Sequence, residues 1–94
     1  MKPLYALLEP LEIENILGSD RIDIVSLTAD SRKVEPGTLF VAVRGVNVDG
    51  HTFIDAAVQK GATAIVCEEL PAMTSTEVTY IVVPSSAIAL GYLA

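Results

Sequence analysis

From Thr38 to Cys67 the chain passes through an apolar run, a loop, a helical pattern and a second apolar run, and that order leaves few folds open. Thr38 to Val43 is a short continuous apolar stretch of strand length, suited to burial on both faces. Gly45 to Gly50 is a glycine-bounded loop with an Asn inside it, and Asp49 is placed to cap a helix from about Gly50 to Lys60. Phe53, Ile54, Ala57 and Val58 are expected to line one face of that helix. Lys60-Gly61 closes it with a cation in the last turn and a residue able to adopt the left-handed C′ conformation. Ala62 to Cys67 is the second apolar run. Strand, helix and strand in this order form a βαβ unit, whose crossover is right-handed in ~98% of cases, so the sheet is at least partly parallel.

The flanking segments extend this frame. Leu4, Leu7, Leu8, Leu11 and Ile16 fall at mostly helical spacing, and Pro10 limits an N-terminal helix to the residues before it. Gly18-Ser19-Asp20 is a turn, and Ile22 to Thr28 alternates as one strand entering Ala29-Asp30. Pro36-Gly37 suits the centre of a type II turn, because Pro holds φ at ~−65° and Gly accepts positive φ. Thr79 to Val83 is a last strand ended by Pro84, and Ser85 or Ser86 caps a helix from Ala87 to Ala94. That helix is still apolar at the last residue, so the chain is expected to continue beyond it. The fold class is therefore α/β, a single small domain with a mixed, mostly parallel sheet flanked by helices.

Composition sets what such a domain can do. Hydrophobic residues make up 51% of the 94 residues and only 5% are aromatic, with no Trp, so the core is aliphatic. A net charge of −6 with only six Lys and Arg excludes the basic footprint that nucleic-acid binding needs. A small anionic ligand stays open, since backbone N–H groups and one or two local cations suffice for a diphosphate. The lone Cys67 forms no internal disulfide, the Met1 end has no signal-peptide pattern, and no apolar run approaches the ~20 residues of a membrane span. The expected setting is a cytoplasmic one, without a membrane partner.

Catalytic constellations are missing from the sequence: there is no glycine loop ending in Lys-Ser or Lys-Thr, no HExxH, and one His in total. Two loops can instead carry a ligand. Asp30-Ser31-Arg32 follows a strand and offers a carboxylate, a hydroxyl and a guanidinium with five donors. Ser31 can bond a phosphate or the edge of a base; equally, Asp30 and Ser31 can cap a turn while Arg32 makes a surface ion pair. Gly45 to Gly50 presents backbone N–H groups before a helix start, a geometry suited to anions, or is an ordinary connection. His51 can donate to a ligand or be locally hydrogen-bonded, Arg44 can face a phosphate or solvent, and Cys67 reads as core.

The runs DSRKVEPGTLFVAVRG and DGHTFIDAAVQKGATAIVCE, spanning Asp30 to Glu68, resemble the N-terminal domain of Mur ligases, nearest to the MurE type. The combination of DSR, PG, LFVA, DGH and GA at these spacings is far more specific than a lone glycine motif. The resemblance implies that residues 1–94 are a UDP-substrate-binding domain, with an interdomain helix starting at about 85–94. The full-length enzyme it implies is an ATP-dependent, Mg²⁺-using ligase of peptidoglycan synthesis. It would add meso-diaminopimelate or L-lysine to UDP-N-acetylmuramoyl-L-alanyl-D-glutamate. Central and C-terminal domains of the same chain would be the partners of this segment. By position, Ala29, Ser31, Val46, Asn47 and Val48 fall where the family contacts the UDP moiety. The family's ATP loop, Mg²⁺ ligands and modified lysine belong to the central domain and have no counterpart here, so this segment alone is expected to bind no cofactor and catalyse nothing. The same domain of the MurF-type ligase, which adds D-alanyl-D-alanine, and a stand-alone nucleotide-sugar-binding module are the alternatives.

Overall fold

The computed structural model describes residues 1–45 and 49–93. Along the chain run β1 (Lys2–Pro3), α1 (Leu4–Leu8), β2 (Asn15–Leu17), β3 (Asp23–Ile24), β4 (Ser26–Thr28), β5 (Thr38–Val41), α2 (Ile54–Gln59), β6 (Ala64–Cys67), β7 (Thr79–Val82) and α3 (Ser86–Leu93). Short 3₁₀ turns at Ser31–Lys33 and Gly50–Phe53 lie after β4 and before α2. The main sheet has the order β2-β7-β6-β5-β4; β4 to β7 are mutually parallel and β2 is antiparallel to β7. All four parallel strands therefore end on one edge.

The period of two along each strand sorts the apolar residues into two layers. Leu39, Val41, Ala64, Val66, Ile81 and Val83 face Leu4, Leu8 and Ala89 of α1 and α3. Phe40, Ala42, Ile65, Cys67 and Tyr80 face Ile54 and Ala57 of α2. Both faces are covered, which is why β5 and β6 are continuous apolar runs. The turns match their residues: Thr38 N–H donates to Glu35 O at 3.1 Å across Pro36-Gly37, with Gly37 at φ +90°. After α2, Ala62 N–H donates to Ala57 O and Gly61 N–H to Val58 O, both at 3.1 Å, with Gly61 at φ +106°. This pair of bonds is a Schellman closure.

Three expectations need correction. The strand expected over Ile22 to Thr28 breaks at Val25: β3 pairs with β1 in a separate two-stranded sheet, and β4 joins the main one. Ile16 belongs to edge strand β2, paired with Ile81, and not to the leading helix; a single coincidence of spacing beyond Pro10 carried it there. The helix expected from Gly50 begins as a 3₁₀ turn, and with ~3.0 residues per turn Phe53 leaves the face shared by Ile54 and Ala57. Phe53 is 40% exposed. Val46, Asn47 and Val48 lie outside the described residues.

Candidate functional site

In parallel sheets ligands settle at the carboxyl ends of the strands, and here that edge carries two groups of polar side chains with different organisation. One follows β4. Thr28 Oγ1 accepts from Asp30 N–H at 3.0 Å, and the Asp30 carboxylate caps the Ser31–Lys33 turn by accepting from Arg32 N–H at 2.9 Å. The same carboxylate takes the Arg32 guanidinium in a two-point clasp, Nε to Oδ1 at 3.0 Å and Nη2 to Oδ2 at 2.9 Å. Those bonds hold the Asp30 carboxyl well below its usual range, at about 2. Both parts of the turn-and-ion-pair alternative are thus present. Ser31 is pinned through its backbone: its carbonyl accepts from Lys60 Nζ at 3.1 Å and from Val34 N–H at 3.5 Å. Among the described residues its hydroxyl has no hydrogen-bond partner.

This turn borders an open cleft of 430 Å³ lined by Ala29, Ser31, Arg32, Val43, Gly50 and Phe53, together with Asp30. The volume falls in the ~300–1,000 Å³ span of small-molecule sites. Gly50 makes the cleft possible. Its N–H donates to Val43 O at 2.8 Å, and a Cβ there would sit 2.7 Å from Val43 N. Only glycine lets the Gly50–Phe53 turn close onto the end of β5.

The second group follows β5 and β6. Asp49 Oδ1 caps the Gly50–Phe53 turn by accepting from His51 N–H at 2.9 Å. Glu68 N–H donates to His51 Nε2 at 2.8 Å, so Nε2 is an acceptor and the ring proton is on Nδ1, which donates to Asp49 Oδ1 at 2.7 Å. Both imidazole nitrogens are occupied. Glu68 Oε2 accepts from Ser86 N–H and Ser86 Oγ, both at 3.0 Å, placing a carboxylate at the N-terminus of α3. Its Oε1 lies 3.2 Å from Arg44 Nε, while Arg44 Nη2 lies 3.1 Å from Glu69 Oε1. Backbone donors lower the Asp49 and Glu68 carboxyls, from His51 and Ser86 respectively. Among the described residues, His51 and Arg44 thus bond to other groups of the protein. Burial alone raises the Cys67 thiol to about 11, leaving it a packing residue.

Of the residues picked out by sequence, the structure brings Ala29 and Ser31 to one cleft; Val46, Asn47 and Val48 belong to the loop outside the described residues. Sequence reasoning missed Phe53 as a cleft wall, and Glu68 and Ser86 as a linked pair. The latter had a readable signal, since both follow parallel strands that end side by side. Among the described residues no three His, Cys, Asp or Glu side chains gather to hold a metal ion, and no helix is long and apolar enough to cross a membrane.

Comparison with known proteins defines the class. Residues 23–94 match the model of the Mur ligase family, catalytic domain, and the chain belongs to that family. It is 51% identical over 90 residues to a UDP-N-acetylmuramoyl-L-alanyl-D-glutamate–2,6-diaminopimelate ligase of Parabacteroides distasonis, covering 96% of this chain and 18% of that protein. To the ligase of the same name from Cytophaga hutchinsonii it is 49% identical over 89 residues, 94% of this chain and 18% of that one. The chain thus spans less than a fifth of the curated relatives it matches. Among solved structures, the UDP-N-acetylmuramoylalanyl-D-glutamyl-2,6-diaminopimelate–D-alanyl-D-alanyl ligase of Acinetobacter baumannii superposes with a TM-score of 0.80 at 26% identity, over 98% of this chain and 20% of that one. The MurF ligase of Thermotoga maritima in complex with ADP gives a TM-score of 0.63 at 37% identity, over 72% of this chain and 15% of that one.

Proposed function

We propose that this chain is the part of a MurE-type ligase that holds the UDP end of UDP-N-acetylmuramoyl-L-alanyl-D-glutamate while other domains of the same protein join the third amino acid, meso-diaminopimelate or L-lysine. The observation that carries the type is the name shared by relatives 46–51% identical over nearly the whole chain. The cleft after β4 supports the role, since it combines a rigidly held Ser31 hydroxyl with an apolar wall on the ligand edge of a parallel sheet. Ala29, Ser31, Val46, Asn47 and Val48 are the proposed contacts to the UDP moiety. Residues 1–94 form this substrate-binding domain, and α3 begins the passage to the domains that use ATP and Mg²⁺. The ATP- and Mg²⁺-using steps are assigned to those other domains. The reaction belongs to the cytoplasm, where its nucleotide substrates are.

The MurF-type reading has its own support in the superposed structures. An assay of the full gene product with UDP-N-acetylmuramoyl-L-alanyl-D-glutamate, ATP and Mg²⁺ separates the two. The MurE reading expects product with meso-diaminopimelate or L-lysine. Product formed only from D-alanyl-D-alanine, with the tripeptide substrate, would replace it by the MurF reading.

A further inference from the structure

We infer that Phe53 is the stacking platform for the nucleotide's base, and that the base lies in the cleft between this ring and the Ser31 hydroxyl. The inference rests on the reading that the cleft takes the UDP end of the substrate. Of the exposed large apolar side chains described, Phe53, at 40%, is the one that lines this cleft, and its neighbour Ile54 is 2% exposed. The ring is not left over from packing: the 3₁₀ turn, closed by Asp49 and anchored through Gly50 on Val43, sets it into the cleft wall.

The charges on the rim decide which end of a nucleoside diphosphate goes there. Arg32 is already clasped by Asp30, and Lys60 donates to the Ser31 carbonyl. Both cations thus already carry protein partners, and the Asp30 carboxylate on the same lining repels a phosphate. What the cleft also offers is apolar surface from Phe53 and Val43 together with Ser31, whose hydroxyl can donate and accept. A flat ring with a polar edge is complementary to that pair, whereas a phosphate is not. Aromatic rings bind bases through their faces with little dependence on base identity, so Phe53 supplies affinity and the Ser31 hydroxyl reads the edge.

The test is a ligand-observed NMR titration of the 94-residue chain with uridine, UDP and ribose 5-phosphate. It is repeated for Phe53→Leu and Phe53→Tyr, with protein amide spectra recorded alongside. Phe53 is the aromatic residue lining this cleft, so stacking moves the uracil H5 and H6 resonances upfield in the wild type. Phe53→Leu abolishes that shift and weakens UDP roughly tenfold, Phe53→Tyr preserves both, and ribose 5-phosphate is indifferent to either change. Should UDP move the Ser31 amide yet leave H5 and H6 unshifted, or bind Phe53→Leu as tightly as wild type, the stacking role falls while the substrate reading stands. Should UDP move no amide around the cleft, both fall. The wild-type ring-current shift decides even if Phe53→Leu does not fold.

Discussion

The polar groups after β4 and those after β5 and β6 share one edge of one sheet, yet they differ in where their hydrogen bonds go. Around His51 nearly every donor and acceptor is met from within: Asp49, Glu68, Arg44 and Ser86 join two loops and the start of α3 into one connected set. After β4 the backbone and the charges are tied down, but the Ser31 hydroxyl and the Phe53 face open onto a cleft. Residue types alone do not separate these cases, since His51, Arg44 and Ser31 can each bond either a ligand or the protein itself. Satisfied polar groups make architecture, and rigid groups without an internal partner are the ones left to recognise something else.

Gly50 is the joint between the two regions, and breaking it should have the largest effect. Gly50→Ala puts a Cβ against Val43 N and O, at 2.7 and 2.8 Å, and is expected to lose ~3 kcal/mol in urea unfolding through overpacking against backbone. His51→Ala removes an acceptor from Glu68 N–H and a partner from Asp49. It should cost ~2 kcal/mol by the same measurement, because a part-buried amide loses its bond. Glu68→Gln weakens the charged cap on α3 and should cost ~1 kcal/mol, seen as faster amide exchange in the first turn of that helix.

Acid sharpens the comparison further. Asp30, Asp49 and Glu68 all have carboxyls lowered by hydrogen bonds to the ionised form. Their contribution is complete above the ordinary carboxylate range, ~4, and is lost as pH falls through the lowered values, for Asp30 about 2. A thermal melt series from pH 6 downward should stay flat until near pH ~4 and then decline modestly, since these groups face solvent. Ser31→Ala is the smallest perturbation of the fold, within ~0.5 kcal/mol, but should weaken UDP by roughly fivefold.

The frame was legible because its signals are local and agree with one another. Pro36-Gly37, the Asp49 cap, Lys60-Gly61 and two apolar runs each fix one joint of the βαβ unit, and their spacing fixes the rest. The edge strands were not, because β1, β2 and β3 are two or three residues long and exist through pairing with distant partners. At the candidate site, the family pattern pointed to Ala29 and Ser31, and both line the cleft. Local bonding of His51 was one of its two readings. The bonds of His51 and Arg44 to Glu68 and the exposure of Phe53 were not legible, since they depend on which strand ends lie side by side and on a turn being 3₁₀ in place of α.

The contrast between the two regions is tested most directly by an amide-resolved titration of the chain with UDP-N-acetylmuramic acid. The account predicts saturable shifts at Ala29 to Arg32 and at Gly50 to Phe53, with Glu68, Glu69 and Ser86 unmoved. Shifts concentrated at Glu68 and Ser86, with Ser31 silent, would contradict it.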